Sequence, residues 1–194
     1  MTARDKILAA VKNSQPSLQA LPAMENFAPI QYADVVEQFK NVLEAIGGKV
    51  VMINSLNDIN DFIVQHFDTD KIIITTIEDL PVIKKLDASV DAHLLANIEL
   101  AILPSLFAVA ENGAVWLTEK EMKIRALPFI CQQLAVVVNK KDIINNMQDA
   151  YDIISQNEYA FADFIAGPSK TADIEQSLVL GAHGPGNMIV FIME

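Results

Sequence analysis

One stretch near the C-terminus combines a tight turn with hydroxyl groups and a cation, a combination that can hold an anion. Ser169, Lys170 and Thr171 directly follow a Gly-Pro dipeptide. The amphipathic pattern over residues 171–180 predicts a helix, which Ser169 or Thr171 would cap. Unpaired N–H groups at a helix start attract anions, but capping alone also explains the hydroxyls. Lys170 is unfavourable beside the positive end of a helix, so it predicts a compensating anion, either Asp173 or a substrate.

A second candidate is the segment Glu111-Asn112-Gly113, which lies between two apolar runs. Asn-Gly is a strong turn dipeptide, so a plain turn is one interpretation. The other interpretation is chemistry, with Glu111 as a carboxylate nucleophile or a general base. Gly113 permits the sharp reversal and is assigned to the substrate-binding set.

Two further positions suit the binding of an anionic substrate. Arg125 carries a guanidinium group that can bind a carboxylate or phosphate through two hydrogen bonds. The other interpretation, equally supported, is that Arg125 is a solvent-exposed helix residue. His183 lies among glycines, and Gly184 beside it lets the backbone approach a ligand closely. His183 could do acid–base work, bind a ligand, or hold its loop through a ring N–H bond to a carbonyl. The predicted substrate-binding set is Gly113, Arg125, Ser169, Lys170, Thr171, His183 and Gly184.

The residue types argue against metal and cofactor binding by this chain. The three histidines, His66, His93 and His183, include no pair at the i, i+4 spacing of a helical metal site. The single cysteine, Cys131, lies in an apolar run, which predicts a buried core thiol rather than a nucleophile. One thiol cannot ligate an iron–sulfur cluster. We therefore expect no metal site and no cofactor bound by this chain.

The overall charge limits the partners that the chain can bind. Its 25 acidic and 14 basic residues give a net charge of -11. That field repels nucleic acids and anionic membrane surfaces, so neither is an expected partner. No apolar run reaches the roughly 18 residues of a membrane span, and the N-terminus does not resemble a signal peptide. The expected location is the cytoplasm.

The elements that would position these residues alternate between strand and helix. Apolar runs predict strands over 50–53, 72–76, 99–103, 114–117, 134–138, 164–166 and 188–192. Helical spacing predicts helices over 33–46, 55–67, 123–127, 143–154 and 171–180. Continuous apolar strands joined by helices indicate an α/β fold with an open, mostly parallel sheet covered by helices. Ligands of such sheets bind beyond the carboxyl ends of the strands.

The chain divides into two parts at this level. Residues 1–30 contain an N-terminal helix and a proline-containing loop, and residues 31–194 form a single α/β domain. Thr2 and Asp5 have the spacing of a capping box for that helix. Its apolar face consists of Ile7, Leu8 and Val11.

Several of these motifs resemble the LUD-domain family. The segments 167–175 (Gly-Pro-Ser-Lys-Thr-Ala-Asp-Ile-Glu) and 181–185 (Gly-Ala-His-Gly-Pro) resemble its C-terminal signature. Residues 108–115 resemble the family's Ala-x-Ala-Glu-Thr-Gly-Thr segment, with Asn and Ala in place of the two threonines. Arg125, with the Leu-Pro pair that follows, resembles the family's conserved arginine and proline. The resemblance covers about residues 30–194.

The resemblance implies a fold like that of the NagB/RpiA/CoA-transferase group. It also implies a component of a system that oxidises L-lactate to pyruvate, whose iron–sulfur subunits are the expected partners and carry the clusters. Glu-Asn-Gly also resembles the catalytic loop of class I CoA transferases. The alternative is therefore a CoA-transferase-like or isomerase-like enzyme, or a binding module, for a small anionic substrate held by Glu111, Arg125 and the 167–175 turn. The sequence leaves open whether the chain is an enzyme, and a homo-oligomer is compatible with it.

Overall fold

A computed structural model describes residues 2–20, 28–80, 84–85, 95, 97–172 and 178–194 of the chain. The helices are α1 (Ala3–Asn13), α2 (Val35–Ala45), α3 (Leu56–His66), α4 (Glu119–Met122), α5 (Leu127–Ile130) and α6 (Met147–Ile154). The strands are β1 (Lys49–Ile53), β2 (Ile72–Thr75), β3 (Lys84–Lys85), β4 (Ile98–Pro104), β5 (Phe107–Val109), β6 (Ala114–Thr118), β7 (Gln133–Asn139), β8 (Ile143–Ile144), β9 (Ala162–Ile165), β10 (Lys170–Ala172), β11 (Leu178–Leu180) and β12 (Asn187–Met193). All of the predicted strands are present.

Six strands form a parallel sheet, called here the main sheet, in the order β1-β12-β7-β4-β2-β3. Successive side chains of its central strands point to opposite faces, as the two-residue repeat of a strand requires. On β12, for example, Val190 packs in one hydrophobic cluster and Phe191 in another on the opposite face. Both faces are therefore buried, and the predicted open, mostly parallel sheet is confirmed.

A second sheet has the order β8-β5-β6-β9 and is mostly antiparallel. Its inner residues, including Val115 and Leu117, share one buried cluster with α2 and with the main sheet. Its outer residues, including Phe107 and Trp116, pack against α6. The opposite face of the main sheet is covered by α3 through Ile59. The layers are thus α3, main sheet, second sheet and α6.

Helix α2 confirms the helix predicted over residues 33–46. The Asp34 carboxylate accepts a hydrogen bond from the Glu37 N–H at 3.0 Å and so caps the first turn. Phe39 and Leu43, four residues apart, are fully buried against the sheets. This packing fixes the end of α2, at Ile46, beside the loops described below.

The helix predicted over residues 171–180 is wrong. Strand β10 begins at Lys170 and pairs with β11 in an antiparallel hairpin, with Thr171 opposite Val179. Both of these residues are β-branched, and β-branched side chains favour strands. Residues 173–177, which include Asp173 and Glu175, lie outside the described part of the chain.

Two other predicted helices have different boundaries. The helix over 123–127 is wrong: Lys123 has φ 61° and ends α4, and Pro128 lies in the first turn of α5. The helix over 143–154 starts only at Met147, because the Asn146 side chain caps it by accepting a 2.9 Å bond from the Asp149 N–H. The residues before it form β8, which pairs with β5.

Helix α1 is present with the predicted capping box, in which Thr2 and Asp5 bond to each other's backbone N–H. None of its residues is buried. The apolar side chains Ile7, Leu8 and Val11 are all more than half exposed. None of the helices in the described part of the chain combines the length and apolar character that a membrane crossing requires.

Cys131 is a core thiol, as predicted, and is 2% exposed. Burial raises the pKa of the Cys131 thiol from the ordinary 9.0 to about 12. We expect iodoacetamide at pH 8 to leave the folded protein unmodified, because roughly a thousandfold less thiolate is present than in the unfolded chain. Mass spectrometry after alkylation, with and without denaturant, measures this. Equal labelling of the folded and unfolded protein would contradict it.

Candidate functional site

The glycine-rich loops gather at the amino ends of the main-sheet strands. Loop 181–186 runs directly into β12, and its Gly186 N–H donates a 2.9 Å hydrogen bond to the carbonyl of Gln132, just before β7. Just before β1, a Cβ on Gly47 would lie 3.4 Å from Cγ of Pro168. The motif loops therefore lie at the opposite end of the sheet from the carboxyl ends, where ligands were expected.

Ser169 and Gly184 are neighbours in this group of loops. The Ser169 N–H donates to the Pro185 carbonyl at 2.8 Å, and the Gly181 N–H donates to the Ser169 carbonyl at 3.0 Å. A Cβ on Gly184 would lie 3.2 Å from Cβ of Ser169. Two predicted substrate-binding residues thus lie side by side, and their backbone bonds join the C-terminal motif to loop 181–186.

Gly113 and Gly167 lie against the end of α2. Both have left-handed backbones, with φ values of 70° and 71°. A Cβ on Gly113 would lie 3.1 Å from Cα of Leu43, and a Cβ on Gly167 would lie 3.1 Å from the Ile46 carbonyl oxygen. The close approach of α2 and the backbone angles explain both glycines without a ligand.

The remaining polar residues of the motifs are accessible. Lys170 and His183 are exposed, and Thr171 is half-buried. Because Lys170 begins a strand, it does not face the positive end of a helix, and the predicted conflict with a helix dipole does not arise. Among the described residues, the His183 ring has no hydrogen-bond partner.

Glu111 caps a helix. Its carboxylate Oε2 accepts a 2.8 Å hydrogen bond from the Met147 N–H, in the first turn of α6. Its own N–H donates to the Asn145 carbonyl at 3.0 Å. A carboxylate is stabilised at a helix N-terminus by the unpaired N–H groups and the helix dipole. The exposed Glu111 side chain therefore has a structural partner within the chain.

Arg125 clamps a carboxylate, as its residue type suggests, but one that belongs to the chain itself. Its Nε and one Nη lie 3.2 and 2.6 Å from Oε2 of Glu119. The guanidinium also lies 5.3 Å from the centre of the Phe161 ring. The other Glu119 oxygen accepts a 3.1 Å bond from the Ala160 N–H. The structure thus gives Arg125 and Glu111 separate partners within the chain.

The Arg125 hydrogen bonds, followed by the bond from the Ala160 N–H, lower the pKa of Glu119 below 4.5. We expect Arg125→Ala to raise the pKa of Glu119 toward that ordinary value, because the charge-assisted bonds are lost. NMR titration of the Glu119 carboxyl carbon measures this, with Lys120→Ala as the control. Any stability that the pair contributes is present at neutral pH and is lost as pH falls through the lowered pKa. An unchanged Glu119 pKa in Arg125→Ala would contradict the assignment.

One cavity has a volume of about 710 Å³ and lies between the outer side of the second sheet and α6. Phe107, Trp116 and Tyr159 contribute its aromatic lining. Its charged lining residues are Lys120, Lys141, Glu119, Glu121, Asp142 and Glu158. The acids outnumber the bases in this cavity by four to two.

Another cavity, called here the amino-end cavity, has a volume of about 220 Å³. It opens where β1, β12 and β7 begin, on the side of α3. Its polar lining residues are Lys49, His66, Gln133 and Asn187, and its rings are Phe62 and Phe67. The sequence motifs do not include these residues. The one available signal is that three of the four polar residues are the first residues of strands.

The fold and the loops together identify the structural class of the protein. A parallel main sheet, a second sheet layered on it and glycine-rich loops at one end make this an α/β protein with an open, mostly parallel sheet. A family model is more specific: the LUD domain matches residues 82–193, more than half of the chain. The chain belongs to the LUD domain family, as its motifs predict.

Curated relatives carry a common name. Lactate utilization protein C of Bacillus pumilus is 31% identical over 110 residues, covering 50% of this chain and 46% of the relative. The protein of the same name from Geobacillus kaustophilus is 33% identical over 103 residues, covering 50% and 42%. That of Bacillus subtilis is 36% identical over 87 residues, covering 42% and 36%. This chain thus spans less than half the length of these relatives.

A solved structure shares the fold. A DUF162 family protein from Deinococcus radiodurans superposes with a TM-score of 0.61 at 14% identity, covering 86% of this chain and all of the other. At that identity the likeness concerns the fold alone, and it agrees with the α/β architecture described above.

Proposed function

We propose that this chain acts in lactate utilisation, as a component of a system that oxidises L-lactate to pyruvate. The observation that carries the proposal is its membership of the LUD domain family, together with relatives named Lactate utilization protein C at 31–36% identity. In this system the chain binds no redox cofactor of its own and acts with iron–sulfur partner proteins.

The cysteine content supports the division of labour with partners. Oxidation of a 2-hydroxy acid to a 2-oxo acid releases two electrons and two protons, so an electron acceptor is required. An iron–sulfur cluster is usually held by four thiolates, and this chain has one cysteine, which is buried and protonated. In this proposal, the clusters that accept the electrons belong to partner subunits.

Growth on L-lactate tests the physiological role. In a strain without other lactate dehydrogenases, deletion of the gene should abolish growth on L-lactate and leave growth on pyruvate unchanged. The intact gene, supplied on a plasmid, should restore growth. Undiminished growth of the deletion strain on L-lactate would overturn the proposal.

Co-purification tests the partners separately from the role. The tagged chain, isolated without oxygen from lactate-grown cells, should bring down proteins with iron, acid-labile sulfide and a visible cluster absorbance. The chain expressed alone should contain none of these. Isolation of the chain from lactate-grown cells without any iron–sulfur protein would contradict the partner assignment and leave the growth result standing.

The alternative is an enzyme for a small anionic substrate in which Glu111 is the nucleophile or base. It ranks second, because the Glu111 carboxylate caps α6 and Arg125 pairs with Glu119, so each already has its own partner within the chain. Glu111→Gln distinguishes a capping role of Glu111 from a catalytic one, since the amide oxygen can still cap α6 but cannot act as a nucleophile. Full complementation of lactate growth by Glu111→Gln would exclude this mechanism in lactate utilisation.

A further inference from the structure

We propose that the amino-end cavity binds a small carboxylate with a neighbouring hydroxyl group, that is, a short 2-hydroxy acid. The site assignment rests on the side chains that line the cavity. Only the choice of lactate as the physiological member of this class rests on the proposed function.

The charge of the lining favours an anion. Among the described residues, Lys49 is the only lysine or arginine that lines the cavity and no carboxylate lines it; the Glu99 carboxylate lies behind the lining, on Gln133. The Lys49 ammonium lies 4.9 Å from the centre of the Phe62 ring, and within the described ranges it forms no ion pair with a carboxylate. The larger cavity, by contrast, has four carboxylates against two lysines. Of these two cavities, the amino-end cavity is thus the better place for an anion in a chain of net charge -11.

A row of side chains across neighbouring strands orients hydrogen-bond donors at this cavity. Glu99 accepts a 2.8 Å bond from Nε2 of Gln133, which fixes the orientation of that amide. Oε1 of Gln133 then faces Nδ2 of Asn187 at 3.5 Å, across the register pair that joins β7 to β12. Each amide NH₂ has two hydrogens, and these contacts use one of each. The second hydrogens remain for a carboxylate.

His66 supplies a group that can recognise a hydroxyl. Its Nδ1 lies 2.8 Å from the Phe62 carbonyl oxygen, and a carbonyl only accepts, so Nδ1 must carry a hydrogen. In the neutral ring Nε2 is then an acceptor, which suits the O–H of a hydroxy acid. The ring stacks on Phe62 with centroids 4.1 Å apart and planes 18° apart, so its orientation is held.

The size and apolar walls limit the ligand to a short chain. A volume of about 220 Å³ is below the roughly 300–1,000 Å³ of sites for drug-sized molecules and cofactors. Phe67 and Ile189 add apolar lining and can contact a methyl or short alkyl group. A nucleotide or a coenzyme A thioester is too large for this space.

Proton NMR of the intact chain tests the site with L-lactate as the probe. L-Lactate should shift the His66 ring signal and the Asn187 side-chain amide signals along one saturable curve. Propionate, which lacks the hydroxyl, should bind several-fold more weakly, and uncharged lactamide should not bind. The absence of any shift in these signals up to about 100 mM L-lactate would overturn the site.

Two variants and one control assign the contacts. Lys49→Gln should weaken L-lactate binding about tenfold, the effect expected for loss of a charge-assisted contact. His66→Phe keeps the stacked ring and should make L-lactate and propionate bind equally, read from the Asn187 signals. Lys141→Gln, at the carboxyl end of β7, should bind as the wild type does. Equal loss of affinity in Lys49→Gln and Lys141→Gln would overturn the Lys49 assignment.

The binding experiment and the growth experiment can reject the site and the lactate role independently of each other. Saturable, Lys49-dependent binding in a chain whose deletion does not affect growth on lactate would support the site and reject the lactate role. Loss of growth together with unmoved His66 and Asn187 signals would reject the site and support the lactate role. Equal binding of propionate and L-lactate by the wild type would overturn the hydroxyl contact with His66.

Discussion

Phe191→Ala is expected to lower the free energy of unfolding by about 3–5 kcal/mol, the range for removal of a buried aromatic ring. Phe191 lies on β12, between β1 and β7 in the main sheet, and is 1% exposed. It packs edge-on against Phe62, with ring centroids 5.3 Å apart. Phe62 in turn contacts Lys49 and His66, so the loss should also loosen the amino-end cavity.

Urea unfolding followed by circular dichroism measures this loss. Phe191→Leu should lose distinctly less than Phe191→Ala, because it keeps most of the apolar volume. Phe129→Ala is the control: Phe129 is 37% exposed, so its truncation should cost clearly less than that of Phe191. A Phe191→Ala loss no larger than that of Phe129→Ala would contradict the position of Phe191 in the core.

Gly113→Ala is expected to cost about 2–4 kcal/mol of stability. Two effects add: a left-handed φ of 70° is strained for alanine, and the new methyl group would lie 3.1 Å from both N and Cα of Leu43. Those atoms belong to the helix backbone and cannot rotate away as a side chain can. Relief requires a shift of α2 as a whole, which would disturb the packing of Phe39.

Gly186→Ala provides the control for Gly113→Ala. A Cβ there would have its nearest neighbours at 3.8 and 3.9 Å, and the backbone is not left-handed. Its stability should stay within about 0.5 kcal/mol of the wild type. Thermal unfolding of both variants in one buffer makes the comparison. Equal stability of Gly113→Ala and Gly186→Ala would show that α2 does not approach Gly113 as closely as described.

Local signals predict much of the main sheet and α2. Helical spacing predicts the boundaries of α2 to within two residues, although the cap at Asp34 was not predicted. The strands of the central sheet are continuous apolar runs because both faces are buried, and such runs are visible in sequence. Cys131 was likewise predictable, since its neighbours are apolar.

Pairing between distant segments explains what local signals miss. Strands β5 and β8 have three and two residues, too few for a periodic pattern. They exist because they pair with each other and because β5 also pairs with β6. The hairpin at Lys170 likewise depends on pairing with Leu180. The apolar and polar residues over that stretch fit a helical pattern as well as a strand pattern, so periodicity alone cannot decide between a helix and a strand.

The same limit applies to the functional residues. The motif segments are recognisable in sequence, but the partners of Glu111 and Arg125 lie 36 and 6 residues away and were not predictable. The amino-end cavity combines Lys49, His66 and Asn187 from three separate parts of the chain. The parallel register of the main sheet brings Lys49 and Asn187 together, and the packing of α3 on the sheet adds His66.

The aromatic cluster on the outer side of the second sheet determines what fluorescence can observe in this protein. Trp116 is the only tryptophan of the chain, and it packs against Phe107, Tyr159 and Phe164 within that cluster. Its emission therefore reports the integrity of the second sheet and its contact with α6. Circular dichroism averages over every helix and strand. Coincident unfolding curves from the two signals would show that both sheets melt as one cooperative unit.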